Sequence, residues 1–166
     1  MREPPWLMSG TIALAERICS SHHSAFGRPL LVCGAAAGAS AEPRLLAQEL
    51  FAAGTVVLAH DGAPLDEGEG PRLTYANRAA LQLWRRNWAG MVGMPSSRTA
   101  EPAERAARQQ ALSAAQHQQA IANYSGIRID SQGRRFAITG ARIWTLLDAH
   151  CQPCGQAAAF GDWHWL

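Results

Sequence analysis

The chain has 166 residues, 48% of them hydrophobic and 17% charged, a balance that supports one packed domain with a helical extension and excludes wholesale disorder. The formal net charge is only +2, and all 15 basic residues are Arg, too thinly spread to form a phosphate-binding stripe, so composition argues against nucleic-acid binding. Glu3, Glu16 and Arg17 break the pattern of a secretion signal, and the apolar run from Pro29 to Ala41 is too short for a bilayer, so a cytoplasmic protein without membrane association is expected.

In chain order, Leu7, Ile12, Leu14, Ala15 and Ile18 approximate the apolar stripe of an N-terminal helix that Gly27 and Pro29 stop. The Ala- and Gly-rich stretch from Leu31 to Ala41 reads as a connector. A second helix follows near Glu42 to Ala53, with Pro43 in its first turn, where a missing N–H costs nothing, and Gly54 after it. Thr55 to Ala59 is a burst of β-branched and apolar residues, a buried strand ending at His60. The polar loop from Asp61 to Pro71 leads back into a short strand at Leu73, Thr74 and Tyr75.

Asn77 is a natural N-cap for a helix from Arg78 to about Asn87, which places Ala80, Leu81 and Trp84 on one face. Met91 to Pro95 interrupts it, and Ser97, Thr99 and Pro102 start another helix that continues to about Gln119 with Leu112 as its large apolar anchor. The period then changes from helical to alternating. Ile127 and Ile129 flank Arg128, Phe136 and Ile138 alternate with Ala137 and Thr139, and a strand resumes through Ile143 and Trp144. A last strand is expected from about Gln156 to Trp165, and the short connections predict an antiparallel meander.

Two helices, two strands, a helical block and three strands is the element order of an α+β, PAS-like fold: a five-stranded antiparallel sheet covered by helices on one face, with an N-terminal helical extension. The expected division is residues 1–53 for the extension and 54–166 for the PAS-like domain.

Particular blocks sharpen this reading. Leu73-Thr74-Tyr75-Ala76-Asn77-Arg78-Ala79-Ala80-Leu81-Gln82-Leu83-Trp84 resembles the Y-A-N-R-A-A-L-x-L-W block of bacterial MEKHLA-domain proteins. Met94 to Arg98, Ala100 to Pro102, Tyr124 to Ile129, Gly133 to Phe136, Ile143-Trp144 and Gly155 to Ala158 are similar to further blocks of that family, in the same order. The resemblance spans roughly Ala15 to Trp163, although the literal Met-Glu-Lys-His-Leu-Ala string is absent. It implies a PAS-like sensory, ligand-binding or protein-interaction module, regulatory and non-catalytic. It brings no established catalytic residues and no agreed ligand, and it leaves the cofactor unknown.

Several residues could carry chemistry. His60 at the strand end, Tyr75 and Asn77 before the helical block, Trp84 and Trp88 within it, Arg98 and Trp144 are the candidate lining of a small-molecule pocket between sheet and helices. Each has a plainer reading: a hydrogen-bonded histidine, a helix cap at Asn77, tryptophan core packing, and a salt bridge from Arg98 to Glu101 or Glu104. Trp163 and Trp165 could join the same cavity. Haem ligation would need His22, His23, His60 or His117 aimed into an apolar cavity. A flavin adduct of light-oxygen-voltage type would need a cysteine in the helical block, and none stands between Cys33 and Cys151.

Cys151-Gln152-Pro153-Cys154 has the spacing of a thiol-redox pair or half a zinc site, so a small redox or zinc-binding protein is the alternative function. Against it, the pair falls at the turn between the last two strands, with no helix N-terminus to lower a thiol pKa. The apolar residues from Trp6 to Ile18 have no obvious cover, which predicts a homodimer through the N-terminal helix.

Overall fold

The computed structural model describes residues 1–31 and 42–166, so Cys33 and most of the expected connector lie outside the described residues. A 3-10 turn, Pro5–Leu7, leads into α1 (Ser9–Phe26), and α2 is Pro43–Ala52. Next come β1 (Val56–Asp61), β2 (Leu73–Ala76), α3 (Arg78–Trp84) and α4 (Trp88–Met91). After two 3-10 turns, Ser96–Thr99 and Pro102–Glu104, the chain forms α5 (Arg105–Gln118) and four strands: β3 (Ala120–Ile129), β4 (Arg135–Leu147), β5 (Pro153–Phe160) and β6 (Asp162–Trp165).

The ends of the helices follow from local chemistry. Gly27 takes the left-handed conformation (φ 70°) and donates its N–H to the His23 carbonyl, closing α1. The Glu42 carboxylate accepts from the amides of Arg44 and Leu45 and so opens α2 ahead of Pro43. α3 stops three residues short of the expected Asn87 because Arg85 turns left-handed at φ 55°, which frees Asn87 to cap α4. The helix expected from Ser97 begins as two 3-10 turns and becomes α-helical only at Arg105.

The strands are all antiparallel in the order β2-β1-β5-β4-β3. β6 lies beside β4 at Phe136 to Thr139, the stretch of β4 that β5 leaves unpaired. The last strand expected from Gln156 to Trp165 is therefore two, β5 and β6, laid end to end along β4 and broken at Gly161.

Alternation along these strands gives the sheet two buried faces. One carries Leu58, Ile138, Ile143 and Phe160, roofed by α3 and α5 through Leu83, Trp84, Leu112 and Ala115. The other carries Val57, Ala59, Tyr75, Trp144, Leu146, Ala157 and Ala159, and α1 and α2 close over it with Ala15, Ile18, Ala47 and Leu50. The expectation that Trp6 to Ile18 lack cover is corrected by this packing. Trp6 stacks on Phe51 at 3.9 Å between ring centroids, and Ile18 is fully buried. The outward side of α1 presents Ala13, Glu16, Ser20 and His23, a surface with little apolar area for a partner.

Polar groups lock this N-terminal layer in place. The Ser21 hydroxyl accepts from the Leu147 amide at 3.0 Å, and the Trp144 indole N–H donates to the Ile18 carbonyl at 3.3 Å. His22 is buried against the Trp144 edge, 4.9 Å between centroids. Its Nδ1–H donates to the Arg28 carbonyl at 3.0 Å, which leaves Nε2 to accept from Arg142 Nη1 at 2.7 Å.

Candidate functional site

Three adjacent central strands place a polar row inside the roofed face. His60 of β1 stands opposite Gln156 of β5, and Gln156 stands opposite Thr145 of β4. All three are buried. The approach of β1 to β5 requires Gly155, whose φ is 149° and where a Cβ would collide with the His60 carbonyl oxygen.

The hydrogen bonds these side chains make define what they still need. His60 Nδ1 lies 2.9 Å from the Asp61 carbonyl oxygen, which can only accept, so Nδ1 carries the proton and Nε2 is an acceptor. By the same logic Gln156 Nε2 donates to the Leu112 carbonyl of α5 at 2.9 Å, and Oε1 is left as an acceptor. His60 Nε2, Gln156 Oε1 and Thr145 Oγ1 are buried without a partner among the described residues. Buried orphans of this kind cost about 1–3 kcal/mol each, and native interiors keep few of them.

A cavity of about 50 Å³ lies beside this row, with His60 and Gln156 in its wall and Trp84, Leu112, Ile138 and Phe160 among its apolar lining. Arg108 of α5 and Arg128 of β3 supply its positive charge. Arg128 is engaged, donating to the Ile127 carbonyl at 2.9 Å and to the Tyr124 hydroxyl at 3.3 Å. Half-buried Arg108 makes no hydrogen bond or ion pair among the described residues. Burial first, and then the Arg128 guanidinium, lower its pKa to about 10. Arg108 also borders an outer groove of about 360 Å³ that Arg98, Arg105 and Glu69 help to line.

Burial, with the Arg108 charge adding to it, lowers the His60 pKa to about 4, and burial followed by the Arg142 charge does the same for His22. Both imidazoles are therefore neutral in the folded chain, whereas in the unfolded chain they protonate near 6.5. The unfolded state binds more protons below that value, so stability is full above about pH 6.5 and declines toward pH 4. Two such groups set a limiting slope of about 2.7 kcal/mol per pH unit. Urea unfolding between pH 7 and pH 5 is expected to show the midpoint falling steadily, and a flat profile would mean that both rings titrate normally.

Of the residues expected at a pocket, His60 and Trp84 line this cavity. Tyr75 and Trp144 lie on the opposite face of the sheet with α1 and α2, and Trp88 packs there against Trp6, Phe51 and Tyr75. Asn77 spends both ends of its amide on backbone groups. Its Oδ1 accepts from the amides of Ala80 and Val57, and its Nδ2 donates to the carbonyls of Leu50 and Thr55. Arg98 is exposed on the outer groove and pairs with Glu69 at 3.7 Å. Glu101 and Glu104, its expected partners, hold Arg135 instead. Trp163 and Trp165 pack edge-on to Phe136 at the surface, with the Arg134 guanidinium 3.8 Å from the Trp165 centroid.

Sequence reasoning missed Arg108 and Gln156. Both carried a signal. Arg108 precedes Leu112 by one helical turn, and Gln156 alternates with Ala158 and Phe160, so a polar residue stood at a core-facing position in each case.

Cys151 sits exposed in the turn after β4 with φ 57°, and half-buried Cys154 is the second residue of β5, its Sγ 3.5 Å from the Leu146 carbonyl oxygen. Both are free thiols. A strand, not a helix, follows them, and among the described residues no group of three or more His, Cys, Asp or Glu could hold a metal. The redox or zinc alternative is thus without structural support.

The fold built on this β2-β1-β5-β4-β3 sheet is similar to that of solved PAS and light-oxygen-voltage structures. A PAS domain from Colwellia psychrerythraea matches with a TM-score of 0.58 at 12% identity, over 72% of this chain and 92% of that one. A light-oxygen-voltage domain studied with a flavin analogue matches at 0.55 and 13% identity, over 73% of this chain and 84% of that one. An RNA-binding light-oxygen-voltage receptor matches at 0.56 and 16% identity, over 74% of this chain and 33% of the receptor, so the chain spans about a third of that protein. The chain has the PAS fold. No curated protein matches it. Its sequence matches the MEKHLA domain over residues 12–165, and the chain belongs to that family. Among the described residues no helix is long and apolar enough to cross a membrane.

Proposed function

We propose that this chain is a non-catalytic sensory module of the PAS type, which reports whether the cavity between α5 and the sheet is occupied. The observation that carries this reading is the pair of buried, unpartnered acceptors, His60 Nε2 and Gln156 Oε1, in the wall of that cavity. A packed core without a ligand role gains nothing from leaving them unpaired. The Gln156 bond to the Leu112 carbonyl couples the cavity to α5, so an occupant that draws on Gln156 acts directly on the position of that helix.

A cavity of about 50 Å³ is well below the ~300 Å³ at which pockets for drug-sized ligands begin, so the ligand is compact. A flavin does not fit a space of that size, and the stretch from α3 to α5 has no cysteine to form an adduct with one. Weak net charge and dispersed Arg support a protein that works without nucleic acid or membrane, in the cytoplasm. The shared core supports residues 1–53 and 54–166 acting as one folding unit, with homodimerisation through α1 set aside because its apolar side is used internally.

Native mass spectrometry of the purified chain, with an absorption spectrum, tests the sensor reading. A retained small molecule that is released on acid unfolding is expected. A chain of bare mass, whose amide exchange at α5 is unchanged by metabolite mixtures, would contradict it.

A further inference from the structure

The cavity is not neutral toward its occupant. Its wall presents acceptors at His60 Nε2 and Gln156 Oε1, both on side chains more than nine-tenths buried, and the tautomer and amide orientation are fixed by carbonyl partners. It also presents a guanidinium, Arg108, with no acceptor of its own among the described residues. A carboxylate placed elsewhere in the chain does not relieve it: Glu101 and Glu104 are taken by Arg135, and Glu69 by Arg72 and Arg98. Arg128 adds a second positive charge on the same side, its own donors turned to Ile127 and Tyr124.

Taking the small-molecule sensor reading as given, we propose that the ligand is a small carboxylate bearing one hydrogen-bond donor, a hydroxy or amino acid. Its carboxylate sits on Arg108, and its O–H or N–H donates to His60 Nε2 or Gln156 Oε1. A guanidinium matches a carboxylate through two parallel N–H donors, and the pair strengthens where water is excluded. The donor is required because a simple carboxylate would leave both acceptors without a partner. A neutral amide meets the acceptors and forfeits the charge. The volume of about 50 Å³, a third of the ~150 Å³ apolar cavity that accepts benzene, favours acids of two or three carbons.

Calorimetric titration of the full chain with glycolate, acetate, glycolamide and sodium chloride tests this. Glycolate is expected to bind about fivefold or more tighter than acetate, the difference being one hydrogen bond to a buried acceptor. Glycolamide and chloride are expected not to compete. Arg108→Met should fold normally, since Arg108 makes no bond that the fold needs, and should weaken glycolate at least about tenfold, while Arg108→Lys keeps part of the affinity. His60→Phe combined with Gln156→Leu, which removes both acceptors, should bring glycolate and acetate together. Equal glycolate affinity in wild type and Arg108→Met overturns the proposal. So does binding of glycolamide, or of a retained neutral metabolite, without glycolate binding, and that outcome leaves the sensor reading standing. Failure of all these probes, with no retained molecule and no response to metabolite mixtures, overturns both.

Discussion

Replacing Asn77 with leucine is expected to cost about 4 kcal/mol, one of the largest losses available to a single change of similar volume in this chain. The amide of Asn77 accepts from Val57 N at 3.0 Å and Ala80 N at 3.1 Å, and donates to the carbonyls of Thr55 at 2.7 Å and Leu50 at 3.2 Å. It thereby joins the end of α2, the start of β1 and the first turn of α3. Leucine removes four bonds and strands two buried N–H donors, each of which carries a desolvation penalty of about 1–3 kcal/mol. At about 2–4 °C per kcal/mol for a chain of this size, the melting temperature should fall by roughly 8–16 °C. Asn87 is the internal control. It caps α4 through one exposed bond to Gly90 N at 2.7 Å, so Asn87→Ala should cost about 1 kcal/mol. Equal losses at the two positions would show that Asn77 is no more than a helix cap.

Deleting residues 1–53 is expected to abolish cooperative folding. The deletion uncovers Val57, Tyr75, Trp144 and Leu146 on the sheet and removes Leu7, Ile18 and Leu50 that lie over them. Seven such side chains at about 2 kcal/mol each amount to roughly the whole stability of a typical domain. The fragment 54–166 should therefore aggregate or bind hydrophobic dyes, and the full chain should unfold in one transition by both near-UV circular dichroism and tryptophan fluorescence. A soluble fragment with a sharp near-UV spectrum would show that the N-terminal layer is an accessory.

How much of this was legible in the sequence depended on the range of the forces involved. The alternation of Ile127 with Ile129 and of Phe136 with Ile138 reports local geometry, and those segments are strands β3 and β4. The Asn77 cap and the Pro43 start of α2 are equally local, and both stand where the residues place them. Which face a strand residue occupies is another matter. The positive φ of Gly140 (65°) marks a break within β4, after which Ala141 and Ile143 continue the face of Phe136 and Ile138, and Trp144 falls on the other side. No one-dimensional period predicts that switch, which is why Trp84 and Trp144 looked like neighbours. The coverage of α1 was hidden for a similar reason, because its partner Trp144 lies 126 residues along the chain from Ile18. Arg108 and Gln156 were readable only as polar residues at core positions, and their meaning came from the carbonyls and charges that the fold brought around them.

The most direct test of the cavity as the ligand site is the ¹⁵N state of the His60 ring, followed by NMR in the full chain. Between pH 7 and pH 5 the ring should stay neutral with its proton on Nδ1, and adding glycolate should shift Nε2 as the ligand's donor reaches it or the facing Gln156 Oε1. A ring that titrates near 6.5, or an Nε2 signal that no bound ligand moves, would contradict the account.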